Sequence, residues 1–70
     1  MGYEITSRTT GRKYYPSDCV RLVNLNQVEK YLHHGATVYD VYISNKSVVF
    51  VFNRNETRDL YEKWRNRELD

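Results

Sequence analysis

Between Gly35 and Asn53 the chain reads Gly-Ala-Thr-Val-Tyr-Asp-Val-Tyr-Ile, then Ser-Asn-Lys, then Ser-Val-Val-Phe-Val-Phe-Asn. Two runs of β-branched and aromatic residues around a short polar break predict a β-hairpin. Side chains alternate across a strand. Tyr39, Val41 and Ile43 should therefore share one face of the first strand, and Val38, Asp40 and Tyr42 the other. In the second strand Val48, Phe50 and Phe52 share one face, and Val49 and Val51 the other. That strand is apolar on both sides, which a sheet with one wet face would not tolerate. Either it is central, with helices or the N-terminal arm covering the second face, or one face is an interface.

The flanking segments suggest what covers it. Cys19 to Val23 predicts a strand, with Val20 and Leu22 on one face. Asn24 has the character of a helix N-cap, and Gln27 stands three residues on, at capping-box spacing. The helix should run from about Leu25 to His34, bury a stripe of Leu25, Val28, Tyr31 and Leu32, and end at Gly35. Asn53 and Glu56 repeat the capping-box spacing and predict a last helix whose stripe is Thr57, Leu60, Tyr61 and Trp64, fraying near Glu68. The fold class is thus α+β, a small β-α-β-β-α domain with a three-stranded antiparallel sheet and two helices packed on it. Placing the most apolar strand in the middle gives the spatial order 1-3-2; a meander is the alternative.

Seventy residues make one domain, and a chain this short buries only about 60% of its unfolded surface. Residues 18–70 carry the α+β domain, and residues 1–17 read as a basic, aromatic arm or edge strand. The net charge is +2. Arg8, Arg12, Lys13 and Arg21 against Glu4 and Asp18 put the excess in the N-terminal third. That is far below the footprint of a committed nucleic-acid binder. Cys19 is the single cysteine, which excludes an intrachain disulfide and suits a reducing cytoplasm. The opening residues do not read as a signal peptide, and no apolar run approaches the ~20 residues of a membrane span.

Catalytic chemistry is hard to assemble from these residues. Adjacent His33 and His34 diverge by about 100° on a helix, Cys19 lies in an apolar strand without a nearby base, and the glycines form no phosphate loop. The expectation is a non-enzyme without metal or cofactor. The suggestive residues are Arg12, Lys13, Tyr14 and Tyr15 in the arm, with Tyr39 and Tyr42 in the hairpin. Seven tyrosines exceed the needs of so small a core, and Tyr and Arg are enriched at protein interfaces. The same basic and aromatic mixture serves single-strand binders, and it also describes an ordinary solvated loop. In the last helix the acids offset Arg54, Arg58, Arg65 and Arg67.

The segment Asn24-Leu25-Asn26-Gln27-Val28-Glu29-Lys30-Tyr31-Leu32 with Gly35, then Asp40-Val41, Lys46, Val49-Phe50-Val51-Phe52 and Leu60-Tyr61-Glu62-Lys63-Trp64, resembles small uncharacterised single-domain proteins of Firmicutes and their phages. The resemblance spans about residues 20–66 and rests on caps, core and turn positions, so no catalytic residue carries over. It implies an accessory protein of a mobile element. The expected function is binding and inhibition of a host or phage protein, an anti-CRISPR-like role being its most concrete form. Nucleic-acid binding through the arm is the alternative, and a homodimer through an exposed strand face is compatible with both.

Overall fold

A computed structural model describes residues 2–69. Strands β1 (Ile5–Thr6) and β2 (Lys13–Tyr14) form a small hairpin, and a 3-10 turn over Pro16–Asp18 leads into β3 (Cys19–Leu22). Helix α1 (Leu25–His33), strands β4 (Asp40–Ser44) and β5 (Ser47–Asn53), and helix α2 (Arg58–Arg65) complete the chain. The main sheet has the antiparallel order β3-β5-β4, so the doubly apolar strand is central, as its sequence requires.

Both faces of β5 are covered. On one side Val28, Tyr31, Phe52 and Leu69 form a buried cluster, joined by Val20, Leu22, Phe50, Leu60 and Trp64. The Tyr31 and Phe52 rings meet edge to face at 5.3 Å. On the other side Tyr14, Cys19 and Val51 are buried together, with Ile5, Tyr39 and Tyr42 packed against them. The N-terminal segment is therefore the lid of the second face. Within residues 1–17, read as an arm or edge strand, residues 5–14 form a two-stranded hairpin held by Ser7 N–H to the Arg12 carbonyl at 2.8 Å and by β1–β2 pairing.

The caps differ from expectation in an instructive way. Asn24 Oδ1 accepts the amides of Asn26 and Gln27, and Asn53 Oδ1 those of Asn55 and Glu56. Neither capping box closes. Gln27 is buried and donates to the Tyr31 hydroxyl at 3.1 Å, while Glu56 accepts from Tyr39. Asn53 caps a turn, and regular helix begins only at Arg58. In α1, Leu25 and Leu32 are exposed and the buried stripe is Gln27, Val28 and Tyr31. Both helices end in the same reversal. Gly35 (φ 87°) is followed by Ala36 N–H bonded to Tyr31 O, and Arg67 (φ 59°) by Glu68 N–H bonded to Lys63 O, the pattern of a Schellman motif. The chain after α2 thus turns back rather than frays, and Leu69 enters the core.

A bulge explains the one error in strand faces. Tyr39 N–H bonds to Val51 O, and Asp40 also stands opposite Val51. Two residues against one shift the alternation. Tyr39 consequently joins Tyr42 over the second cluster, and Val38 joins the first.

Two measurements check this packing. Phe52→Ala should cost about 3–5 kcal/mol, a large share of the ~4–10 kcal/mol that a chain of this length has in total. Urea denaturation followed by circular dichroism should show a midpoint far below that of the wild type. The β4–β5 turn places Asn45 (φ 51°) and Lys46 (φ 65°) in the left-handed region. Lys46→Gly should therefore stabilise the fold by about 0.5–1 kcal/mol, and an unchanged midpoint would argue against that turn.

Candidate functional site

The sequence-selected residues divide into two groups. Tyr14, Tyr39 and Tyr42 pack over the second face of the sheet. Arg12 lies on the surface and donates to Val38 O at 3.3 Å, whereas Lys13 and Tyr15 are exposed.

At the centre of this region Asp40 acts as a latch. Its carboxylate accepts the Ser7 hydroxyl at 2.7 Å, the Val41 amide at 2.8 Å, and the Tyr14 hydroxyl. Burial alone would raise the Asp40 pKa, but hydrogen bonds from Tyr14, Ser7 and Val41 outweigh it and hold the carboxyl below its usual range. The Tyr14 phenol is pushed well up, first by burial and then by Asp40. Tyr39 donates to Glu56 at 2.6 Å, and that bond, with burial, raises its pKa too. These hydroxyls are donors in use within the fold.

The open chemistry lies elsewhere, between the helices. A cavity of about 290 Å³ is lined by Val20, Leu22, Tyr31, Arg54, Arg58 and Tyr61. A second, of about 490 Å³, is lined by Lys30, Tyr61, Trp64, Arg65, Arg67 and Leu69. Tyr61 borders both, and the two cavities together are the groove beside α2. Within α2, Arg58, Tyr61 and Arg65 follow one another at steps of three and four residues, which is one flank of a helix. Asp59 falls on the other flank at 100° per residue, and Arg54 reaches the same cavity from the turn before the helix. No described carboxylate lines either cavity. The charges that offset one another in the linear sequence are thus sorted in space, and helical spacing was the signal that could have revealed it.

Aromatic and cationic groups alternate along the groove. Lys30 Nζ stands 5.8 Å from the Trp64 ring and donates to Leu69 O at 3.0 Å. The Arg65 guanidinium lies 5.8 Å from the Tyr61 ring, and Glu62 touches it at 3.9 Å from the solvent side. Arg67 holds a left-handed backbone where glycine is the default. Such a residue costs of order 1 kcal/mol or more, and here it supplies a cation to the groove.

Nothing in the described residues assembles a reaction centre around this charge. Cys19 is buried, and its thiol pKa is raised by burial and by Asp18, which makes it a poor nucleophile. The His33 and His34 rings meet edge to face at 5.5 Å. Among the described residues no three His, Cys, Asp or Glu side chains group as metal ligands, and no helix is long and apolar enough to cross a membrane. No family model matches the chain, and neither a curated protein nor a solved structure is significantly similar to it.

The latch predicts a pH dependence. The folded pKa of Asp40 is depressed, so its stabilisation is fully present above the ordinary carboxylate value of ~4 and is lost as pH falls through the folded value. Asp40→Asn should cost about 1.5–3 kcal/mol at pH 7. In urea titrations at successive pH values, wild type and variant should converge as Asp40 protonates; a constant gap down to pH ~2 would contradict the latch.

Proposed function

We propose that this protein is a small non-enzymatic binding module whose groove between the helices receives an acidic segment of another protein and modulates that protein. One observation carries the reading: Lys30, Arg54, Arg58, Arg65 and Arg67 line two cavities that share Tyr61, and no described carboxylate lines either. Clustered cations around a partly desolvated surface favour an acidic partner and speed its encounter. The aliphatic floor of Val20 and Leu22 favours a peptide, whose apolar side chain can be buried there. The resemblance to proteins of Firmicutes and their phages supports a host or phage protein as partner and inhibition as the effect, with host defence machinery the most concrete target. A cytoplasmic setting follows from that proposal.

A second reading has its own observation. Tyr61 and Trp64 interleave with Lys30, Arg65 and Arg67, and bases stack on rings while phosphates meet cations in single-strand binders.

One experiment separates the two. Tagged wild type and the double variant Arg58→Glu, Arg65→Glu are used as bait in a Firmicutes lysate, with and without nuclease. A protein retained after nuclease by the wild type and lost with the folded double variant supports the acidic-segment reading. Recovery abolished by nuclease, with affinity for single strands falling steeply with salt, supports the nucleic-acid reading. Equal capture by wild type and double variant would remove the groove from the function.

A further inference from the structure

The two edges of the main sheet are finished differently. At the start of the β4 edge, from Tyr39 to Val41, side chains occupy the backbone groups that point away from β5. Thr10 Oγ1 donates to Tyr39 O at 2.7 Å, Thr9 Oγ1 to Val41 O at 2.7 Å, and the Val41 amide bonds to Asp40 Oδ1 at 2.8 Å. Side-chain cover of this kind is how sheets prevent unwanted pairing.

On the β3 edge the cover stops at Cys19. The Cys19 amide donates to Pro16 O, and its carbonyl accepts from Arg54 Nη2 at 3.3 Å. The next outward position is Arg21. Arg54 N–H bonds to Asp18 O at 2.9 Å, which makes residues 18 and 54 a bonded pair. Bonded and non-bonded pairs alternate in an antiparallel ladder, so the pairs 20–52 and 22–50 are bonded and Arg21 turns its N–H and C=O outward. Val51, opposite Arg21, agrees with this, because its carbonyl accepts from Tyr39 on the far side. Among the described residues no side chain covers the Arg21 backbone groups.

The same strand builds the groove. Val20 and Leu22 turn towards α1 and α2 and line the smaller cavity with Tyr31, Tyr61, Arg54 and Arg58. Arg21 projects from the opposite face and is exposed. A strand added at this edge would alternate between these two environments, as every strand does. Its groove-side residues would meet an apolar floor with an arginine rim. Its other residues would meet Arg21.

We propose that the β3 edge is a docking site for an extended segment of another protein with alternating apolar and acidic residues, which adds to the sheet as a fourth strand. This deepens the acidic-segment reading and rests on it. Charge selects the occupant. A second copy of this chain on the same edge would set Arg21 near its own counterpart, and like charges across a strand pair are destabilising. An acidic strand pairs backbone to backbone at Arg21 and Val23, places its apolar side chains over Val20 and Leu22, and sets its carboxylates beside Arg21.

The test uses the full chain labelled with nitrogen-15 and a synthetic peptide, acetyl-Glu-Val-Glu-Val-Glu-Val-Glu-amide, at low salt. Two controls replace its glutamates by lysine or N-methylate its backbone. Strand addition is expected to shift the Arg21 and Val23 amides, slow their hydrogen exchange, and weaken at least ~tenfold with either control. Equal binding of the N-methylated peptide, with shifts confined to Arg58 and Arg65, would overturn strand addition and leave the groove reading intact. No shift up to millimolar peptide would also overturn it, while the charge-reversal capture experiment judges the groove separately. Protection of the Arg21 amide without peptide, together with a dimer in sedimentation, would assign the edge to a second copy and overturn the proposal.

Discussion

A strand that is apolar on both faces cannot rest on water. Val49 and Val51 on one side of β5, and Phe50 and Phe52 on the other, impose a middle position and two separate covers. The helices are the conventional cover. The second is assembled from the least regular part of the chain, residues 5–14, which contains only two two-residue strands. Too little local structure holds such a segment by itself, so it is fixed by long-range bonds from Ser7, Thr9, Thr10 and Tyr14 to β4 and its approach. The burial of Val51 and the conformation of the N-terminal segment are therefore one problem with one solution.

This arrangement divides the polar side chains by task. Tyrosine and serine hydroxyls donate to Asp40, and a tyrosine hydroxyl to Glu56, so those hydroxyls are engaged within the fold. Along the groove, guanidinium groups meet carbonyls, rings and solvent, with Glu62 the carboxylate paired at its margin. A cation whose internal partner is a carbonyl or a ring keeps its full charge for an external anion, and that is the physical difference between the two regions.

The fold class and strand order were legible because they depend on local signals: Asn24 and Asn53 before helices, Gly35 after one, and the unbroken apolar run of β5. The misses came where one side chain had two possible partners. Gln27 and Glu56 were at capping-box spacing, yet each went to a tyrosine hydroxyl brought near by tertiary packing. The bulge at Tyr39 and Asp40 leaves no mark in composition, since both registers read as alternating apolar and polar residues. The docking of Thr9 and Thr10 is similarly invisible, because threonine in a turn looks the same whether its hydroxyl meets water or a strand 29 to 32 residues away. The groove was partly legible. The periodicity of Arg58, Tyr61 and Arg65 stands in the sequence, but a count of charges along the helix averages it away.

The unequal finish of the sheet edges also bears on assembly. A sheet open at both sides can pass pairing from molecule to molecule and grow without limit. Here threonine hydroxyls and a carboxylate occupy the β4 side from Tyr39 to Val41. A strand that pairs along β3 therefore finds the start of β4, across the sheet, already occupied, and onward pairing is confined to the stretch beyond Val41.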